Sequence, residues 1–217
     1  KKHLLTGQQL ELVEYFLNYY QINTLPLLAK LPQCVIHNDA NDYNLLIDDI
    51  SQPSRITGLI DFGDMVYSHK INELAVACAY ALMNQQQPIV TLKHIVAAYH
   101  KLSPISDNEL YVLYSLIALR LCTTVCNSAK AIKESPDNDY LLISVKPAWH
   151  LLQQLKAEPA FNVLCQLKLA CNKPIDNGLS RKEIINFRQQ HLGRSLSLSF
   201  KEPIKIVSGQ GAYLFDE

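Results

Sequence analysis

The chain has 217 residues, 48% of them hydrophobic, and its formal net charge at pH 7 is zero because 20 acidic residues balance 20 basic ones. This length is enough to bury a core in one or two domains, and the even charge argues against a broad nucleic-acid or membrane surface. The six cysteines show no Cys-x-x-Cys spacing, and the first residues contain no apolar signal segment. We therefore expect a reduced, cytoplasmic protein that binds neither nucleic acid nor membrane.

The first predicted elements are one helix and three short strands. Apolar residues recur at helical spacing over residues 9–20. Apolar runs at 34–36, 45–47 and 56–60 are typical of strands. The polar, turn-rich segment 48–55 joins the last two runs, so together they predict a β-hairpin.

Polar side chains stand at the ends of these strands. Asp39 follows the first strand, Asn44 opens the second, and Asp61 closes the third. The hairpin brings Asn44 and Asp61 to the same end, where their oxygens can share one Mg²⁺. Asp39 faces the same space and can accept a proton from an attacking hydroxyl. Asp and Asn are also common in turns because they bond their own backbone, and we read Asp48 and Asp49 that way.

Two segments carry a family resemblance: HNDANDYN at residues 37–44 and IDFGD at residues 60–64. They resemble the catalytic core of the aminoglycoside phosphotransferase (APH) family, small-molecule relatives of protein kinases with a His-x-Asp-x-x-x-x-Asn loop and an Ile-Asp-Phe-x-Asp strand end. The resemblance implies that Asp39 is the catalytic base and that Asn44 and Asp61 bind Mg²⁺ with ATP. It implies supporting roles for His37, through hydrogen bonds to the loop, and for Asp64.

The substrate-binding residues are much less defined by the sequence. The candidates rest on position alone: Asp42, Tyr67, Glu73 and Arg120. Glu73 reads equally well as a helix-start charge that the helix dipole favours. Asn38 stands where protein kinases have an Arg that reads a phosphorylated activation loop, and this difference favours a constitutive small-molecule kinase.

After Asp64 the sequence turns helical. Five helices, separated by prolines, are predicted at residues 70–84, 89–101, 107–134, 140–156 and 161–172. Pro147 lies inside the fourth and predicts a kink or break there. The third is apolar enough to suggest a membrane span, but it contains Arg120 and starts at the capping box 106–109, so we expect a buried helix.

These elements predict an α+β fold that is mainly α-helical. Residues 1–172 would form a protein-kinase-like C-terminal lobe, a catalytic β-hairpin on a helical bundle. The N-terminal lobe of such a kinase is expected to be absent, because one helix and a short loop precede His37 and no Gly-rich loop occurs. The chain also begins without Met, so we expect a piece of a larger protein that is inactive alone.

The tail predicts a short helix and a second β-hairpin. Residues 173–187 read as a linker and a helix opened by the capping box 180–183, and residues 196–200 alternate like a strand. From residue 188 to 217 the chain, with PIKIVSGQGAYLFD at 203–216, resembles the opening segment of class III pyridoxal-phosphate (PLP) aminotransferases. The resemblance implies a truncated aminotransferase-like domain, with PLP bound only by a part further downstream.

Three functions stay open at this stage. The first is a phosphotransferase that moves the ATP γ-phosphoryl group to a hydroxyl of an amino-alcohol or aminoglycoside-like substrate, fused to an aminotransferase- or phospholyase-like module. Acidic residues around Asp39, Asp42 and Asp64 would suit a cationic amino substrate. The second is a class III aminotransferase in which this lobe is a non-catalytic regulatory domain. The third is a binding or dimerisation scaffold with a relic site; self-association through the aminotransferase part is left open.

Overall fold

The computed structural model describes residues 5–49, 51–52, 55–134, 145–175, 180–191, 203–210 and 213–216. In chain order the helices and strands are α1 Gly7–Asn23, α2 Leu25–Leu28, β1 Gln33–Ile36, β2 Leu45–Ile47, β3 Ile56–Leu59, β4 Val66–His69, α3 Lys70–Ala81, α4 Pro88–Leu102, α5 Asp107–Glu134, α6 Val145–Ala157, α7 Ala160–Ala170, α8 Arg181–His191, β5 Ile206–Gln210 and β6 Tyr213–Asp216. The described chain is thus mainly helical, with three small antiparallel hairpins or ladders.

The core is a helical bundle centred on α5, which packs against α1, α3, α6 and α7. Leu113, Ile117 and Leu121 of α5 have no exposed surface, and burying each such side chain contributes about 1.5–3 kcal/mol. Among the described residues, α5 is the one helix long and apolar enough to cross a bilayer, but 67% of its most apolar window is buried inside the bundle. It is therefore the central core helix, in agreement with the expectation of a buried helix.

Local sequence signals set several helix starts. The side chain of Ser106 accepts a hydrogen bond from Glu109 N–H at 3.3 Å, and Glu109 Oε2 accepts from Ser106 N–H at 2.8 Å. This reciprocal cap satisfies amide groups that a helix start leaves unpaired, and α5 begins at Asp107 as predicted. Helix α6 is described over Val145–Ala157 and includes Pro147. Residues 140–144 of its predicted span lie outside the described residues, so the kink or break predicted at Pro147 stays a prediction.

The predicted hairpin is present. Strands β2 and β3 pair antiparallel with Leu45 opposite Leu59 and Leu46 opposite Gly58. A strand that sequence reasoning missed, β4, pairs antiparallel with β1 from Gln33 opposite His69 to Ile36 opposite Val66. Because β4 runs directly into α3, this pairing ties the end of β1 to the first turn of the α3 helix.

The tail contains the predicted helix and hairpin. Helix α8 spans Arg181–His191 behind the Ser180–Glu183 cap, and β5 pairs antiparallel with β6, with Gly209 opposite Leu214. The predicted strand at 196–200 and the turn residues 211–212 lie outside the described residues. The domain boundaries 1–172, 173–187 and 188–217 stay predictions.

All six cysteines are free thiols. Burial raises the pKa of the Cys78 thiol to about 12, so this cysteine behaves as a small core hydrophobe at neutral pH.

Candidate active site

Asp39 is the centre of a polar cluster in the loop after β1. Its Oδ1 accepts hydrogen bonds from Arg120 Nη2 at 2.7 Å and from the Tyr80 hydroxyl at 3.4 Å. Its Oδ2 accepts from Asn41 Nδ2 at 3.0 Å and from Asn44 Nδ2 at 3.1 Å. Donors on both oxygens hold the carboxylate in one orientation. A side chain that is to accept a proton from an incoming hydroxyl needs such a fixed orientation.

His37 ties this loop to the end of β3. The side chain is only 7% exposed, and its Nε2 lies 2.9 Å from the carbonyl oxygen of Ile60. Because the carbonyl can only accept, Nε2 carries the proton, and Nδ1 is then free to accept from Asp39 N–H at 3.3 Å. The Phe62 ring meets the imidazole edge to face at 5.1 Å. These contacts are those of a side chain that positions the loop.

The loop also contains a strained residue that α3 stabilises. Asn38 has a φ of 66°, in the left-handed region that few non-glycine residues adopt. Its backbone N–H donates to Glu73 Oε2 at 3.0 Å. Glu73 lies in the first turn of α3, so this carboxylate bonds the loop directly.

Asn44 and Asp61 lie together at the open end of the hairpin. The carbonyl oxygen of Asn44 accepts from Ile60 N–H at 3.0 Å, which places the next residue, Asp61, beside it. Asn44 Nδ2 donates to the Asp39 backbone oxygen at 2.9 Å, while its Oδ1 accepts no hydrogen bond from a described residue. Among the described residues, the exposed Asp61 carboxylate accepts a hydrogen bond only from Gly63 N–H, at 3.4 Å.

These two oxygen donors fit Mg²⁺. The ion prefers oxygen ligands and usually keeps waters or substrate phosphates in its shell, so one or two protein side chains suffice. No group of three or more His, Cys, Asp or Glu side chains that could form an all-protein cage occurs in the described part of the chain. Asn44 and Asp61 would hold the metal; their role as ligands stays a prediction.

The weaker candidates fall in different places. Asp42, Asp64 and Tyr67 are exposed, the last with 67% of its surface accessible on β4. Arg120 contacts Asp39 across 81 residues of sequence. Sequence reasoning missed Tyr80 and Asn41. Tyr80 had one usable signal, because it lies seven residues after Glu73 and so on the same face of α3.

Phosphoryl-transfer sites use a carboxylate that receives a hydroxyl proton, together with an amide and a second carboxylate that bind a metal. Asp39, Asn44 and Asp61 are such a set. The arrangement is typical of phosphotransferases. Residues 5–105 match the model of the APH family, described as "Phosphotransferase enzyme family". The chain contains an APH phosphotransferase family domain.

Individual proteins are similar to this chain over part of their length. The chain is 30% identical to the hydroxylysine kinase of Mus musculus over 151 residues, which cover 67% of this chain and 40% of the relative. It is 28% identical to that of Xenopus laevis over 152 residues, 67% of this chain and 41% of the relative. The chain thus spans about two fifths of these relatives.

Two further similarities are shorter or more distant. The chain is 50% identical over 40 residues to the alanine–glyoxylate aminotransferase 2-like protein of Drosophila melanogaster, covering 18% of this chain and 8% of that protein. A solved mutant of aminoglycoside 2′-phosphotransferase-IIIa with GDP matches with a TM-score of 0.46 and 19% identity, over 71% of this chain and 45% of that one.

Proposed function

We propose that this chain is the C-terminal lobe of a small-molecule kinase that phosphorylates a hydroxyl of an amino alcohol of the hydroxylysine type. The observation that carries the proposal is the Asp39 carboxylate, held by Asn41, Asn44 and Arg120 at the open end of the β2–β3 hairpin. The similarity to hydroxylysine kinases supports the substrate class.

The proposed reaction is an in-line phosphoryl transfer. The hydroxyl oxygen of the acceptor bonds to the γ-phosphorus of ATP, the bond from that phosphorus to the β–γ bridging oxygen breaks, and ADP leaves. Asp39 takes the hydroxyl proton. Mg²⁺, held by Asn44 and Asp61, would supply neutralisation of the phosphate charge.

The charges around the site favour a cationic acceptor. Asp42 and Asp64 are both exposed near the end of the hairpin, and a cleft lined by one sign of charge concentrates ligands of the other sign. An amino alcohol carries an ammonium group at neutral pH. A neutral polyol would gain nothing from these carboxylates.

The proposal extends beyond this segment. An upstream lobe would supply the adenine pocket and the lysine that binds the triphosphate. The tail motif at 203–216 and the 40-residue similarity to an aminotransferase-like protein support a downstream class III PLP module. Such a module could eliminate phosphate from the phosphorylated amino alcohol, so the two active sites would act in sequence, in the cytoplasm.

The second candidate function is a PLP enzyme in which this lobe is regulatory. It would be favoured by a damaged kinase site. The preserved grouping of Asp39, Asn44 and the hairpin end argues for an active kinase instead.

The test is ADP release by the intact parent protein with Mg²⁺ and ATP, across 5-hydroxylysine, ethanolamine and aminoglycosides. Turnover that one acceptor stimulates and that Asp39→Asn abolishes would support the kinase. Asp49→Asn is the matched control, because Asp49 is an exposed turn residue whose carboxylate accepts hydrogen bonds from Ser51 of the same turn. Absence of turnover with every acceptor would contradict the proposal and favour the regulatory alternative.

A further inference from the structure

Arg120 enters the site from α5 with much of its guanidinium unused. Nη2 donates to Asp39 Oδ1 at 2.7 Å and to the Tyr80 hydroxyl at 2.9 Å. Nε is buried with no hydrogen-bond partner, and Nη1 makes no hydrogen bond to a described residue. Of the five N–H donors of a guanidinium, the two on Nη1 therefore remain for an anion, joined by one from Nη2 if that nitrogen leaves Asp39.

The two oxygens of Asp39 divide the site into two sides. Oδ2 faces Asn44, the proposed metal ligand, and therefore the side where the phosphates of ATP would bind. Oδ1 faces Arg120 and Tyr80. The acceptor hydroxyl has to reach Asp39 as well as the γ-phosphorus, so Arg120, which contacts Oδ1, lies within reach of the bound acceptor.

Arg120 is a cation in contact with the Asp39 carboxylate. An acceptor attracted by the exposed Asp42 and Asp64 has to bring its own positive charge, which Arg120 repels. An acceptor that carries both charges removes the conflict: its ammonium groups face the acidic residues, and its carboxylate faces the guanidinium. Bidentate pairing with a carboxylate is the geometry that an Arg fork favours.

We propose that Arg120 recognises a carboxylate of the acceptor, so that the substrate is a hydroxy amino acid rather than an amino alcohol without a carboxylate. The proposal rests on the proposed kinase function and narrows its substrate class. Binding of the carboxylate also draws the guanidinium from Asp39 Oδ1 and frees a lone pair for the acceptor hydroxyl. Tyr80, bonded to both groups, holds the guanidinium in range.

The test compares two acceptors that differ only in the carboxylate. With the intact protein, kcat/KM for ADP formation is measured with 5-hydroxylysine and with its decarboxylated analogue, 1,5-diamino-2-pentanol. We expect the wild type to prefer hydroxylysine by roughly 10- to 100-fold, the range for a hydrogen bond to a charged group. Arg120→Met should remove that preference, mainly by raising KM for hydroxylysine, and Arg120→Lys should keep part of it.

Lys130→Met is the matched control, because Lys130 is exposed on the same helix and the change removes the same charge. It should leave both acceptors unaffected. An equal fold-loss for both acceptors in Arg120→Met would overturn the proposal, since it would mean that Arg120 only positions Asp39 or contacts the phosphates.

Isothermal titration calorimetry measures the affinity of the intact protein for each of the two acceptors. This measurement tests the role of Arg120 without requiring turnover. We expect binding that depends on the carboxylate and is lost in Arg120→Met. Equal binding of both acceptors by the wild type would refute the role of Arg120. Carboxylate-dependent binding without ADP formation would instead contradict only the proposed kinase function. If Arg120→Met does not fold, Arg120→Lys gives the same comparison.

Discussion

The α5-centred bundle and the β1–β4 region are held together by different interactions. In the bundle, Leu113, Ile117 and Leu121 are completely buried among apolar neighbours. In the strand region, large apolar side chains remain open, with Ile56 exposed by 61% and Tyr67 by 67%. The bundle supplies the stability, whereas directed hydrogen bonds hold the site loop. Substitutions in the two regions should therefore affect different measurements.

The largest expected effect is on activity. Asp39→Asn in the intact protein should lower kcat by roughly 10²–10⁴-fold, because the amide cannot accept the hydroxyl proton. Its thermal midpoint should fall by less than that of a core variant, because the loss is confined to one acceptor oxygen and to a partly exposed ion pair with Arg120. A fall in the midpoint as large as that of a core variant would mean that Asp39 contributes to stability as the bundle does, which would contradict the difference between the two regions.

In the bundle the effect should be on stability. Leu121→Ala should lower the free energy of unfolding by about 2–5 kcal/mol, because the cavity forms where nothing can fill it. Urea unfolding followed by circular dichroism measures this. Leu102→Ala is the matched control, because Leu102 is 90% exposed at the end of α4, and its effect should be below about 0.5 kcal/mol. Equal losses for both variants would contradict the assignment of α5 as the core.

Glu73 links the two regions and should show a mixed effect. Glu73→Ala leaves the Asn38 N–H without its acceptor, at a cost of about 1–3 kcal/mol, and lets the strained loop relax. We expect a moderate loss of kcat together with a moderate loss of stability. Glu73→Gln, which keeps an acceptor oxygen, should restore most of both. A change in KM for the acceptor with no change in stability would instead make Glu73 a substrate contact.

The smallest expected effect is a pH-dependent one at the start of α5. Hydrogen bonds from Lys168 and then Lys173 lower the pKa of Asp107 to about 2, at distances of 2.7 and 2.8 Å. A folded pKa below the unfolded value of 3.8 stabilises the protein above that value, and this stabilisation is lost as pH falls from 3.8 through 2.

Because Asp107 is 38% exposed, solvent screening limits the effect to about 1 kcal/mol or less. Asp107→Asn should reduce the unfolding free energy at pH 7, and the difference from the wild type should shrink as the pH approaches 2. A difference that is constant across this range would show that the ion pairs do not contribute.

Much of the site could be predicted because its signals are local. Asp39, Asn44 and Asp61 stand at strand ends, and a hairpin with a short connection returns its ends to one place whatever surrounds it. The predicted start of α5 was also correct, because the Ser106–Glu109 cap acts within one turn. The residues before Val145 lie outside the described part of the chain, so the predicted start of α6 stays a prediction.

Other features depended on residues far apart in the chain. The contact of Arg120 with Asp39 joins positions 81 residues apart, and no sequence period links a core helix to a loop. The Tyr80 contact and the β1–β4 pairing arise because α3 packs on α5. The sequence by itself determined the helices, the hairpin and the candidate base and metal ligands, because short-range sterics and capping specify these. Only the tertiary structure decided which cation faces the base, because that depends on how the helices pack.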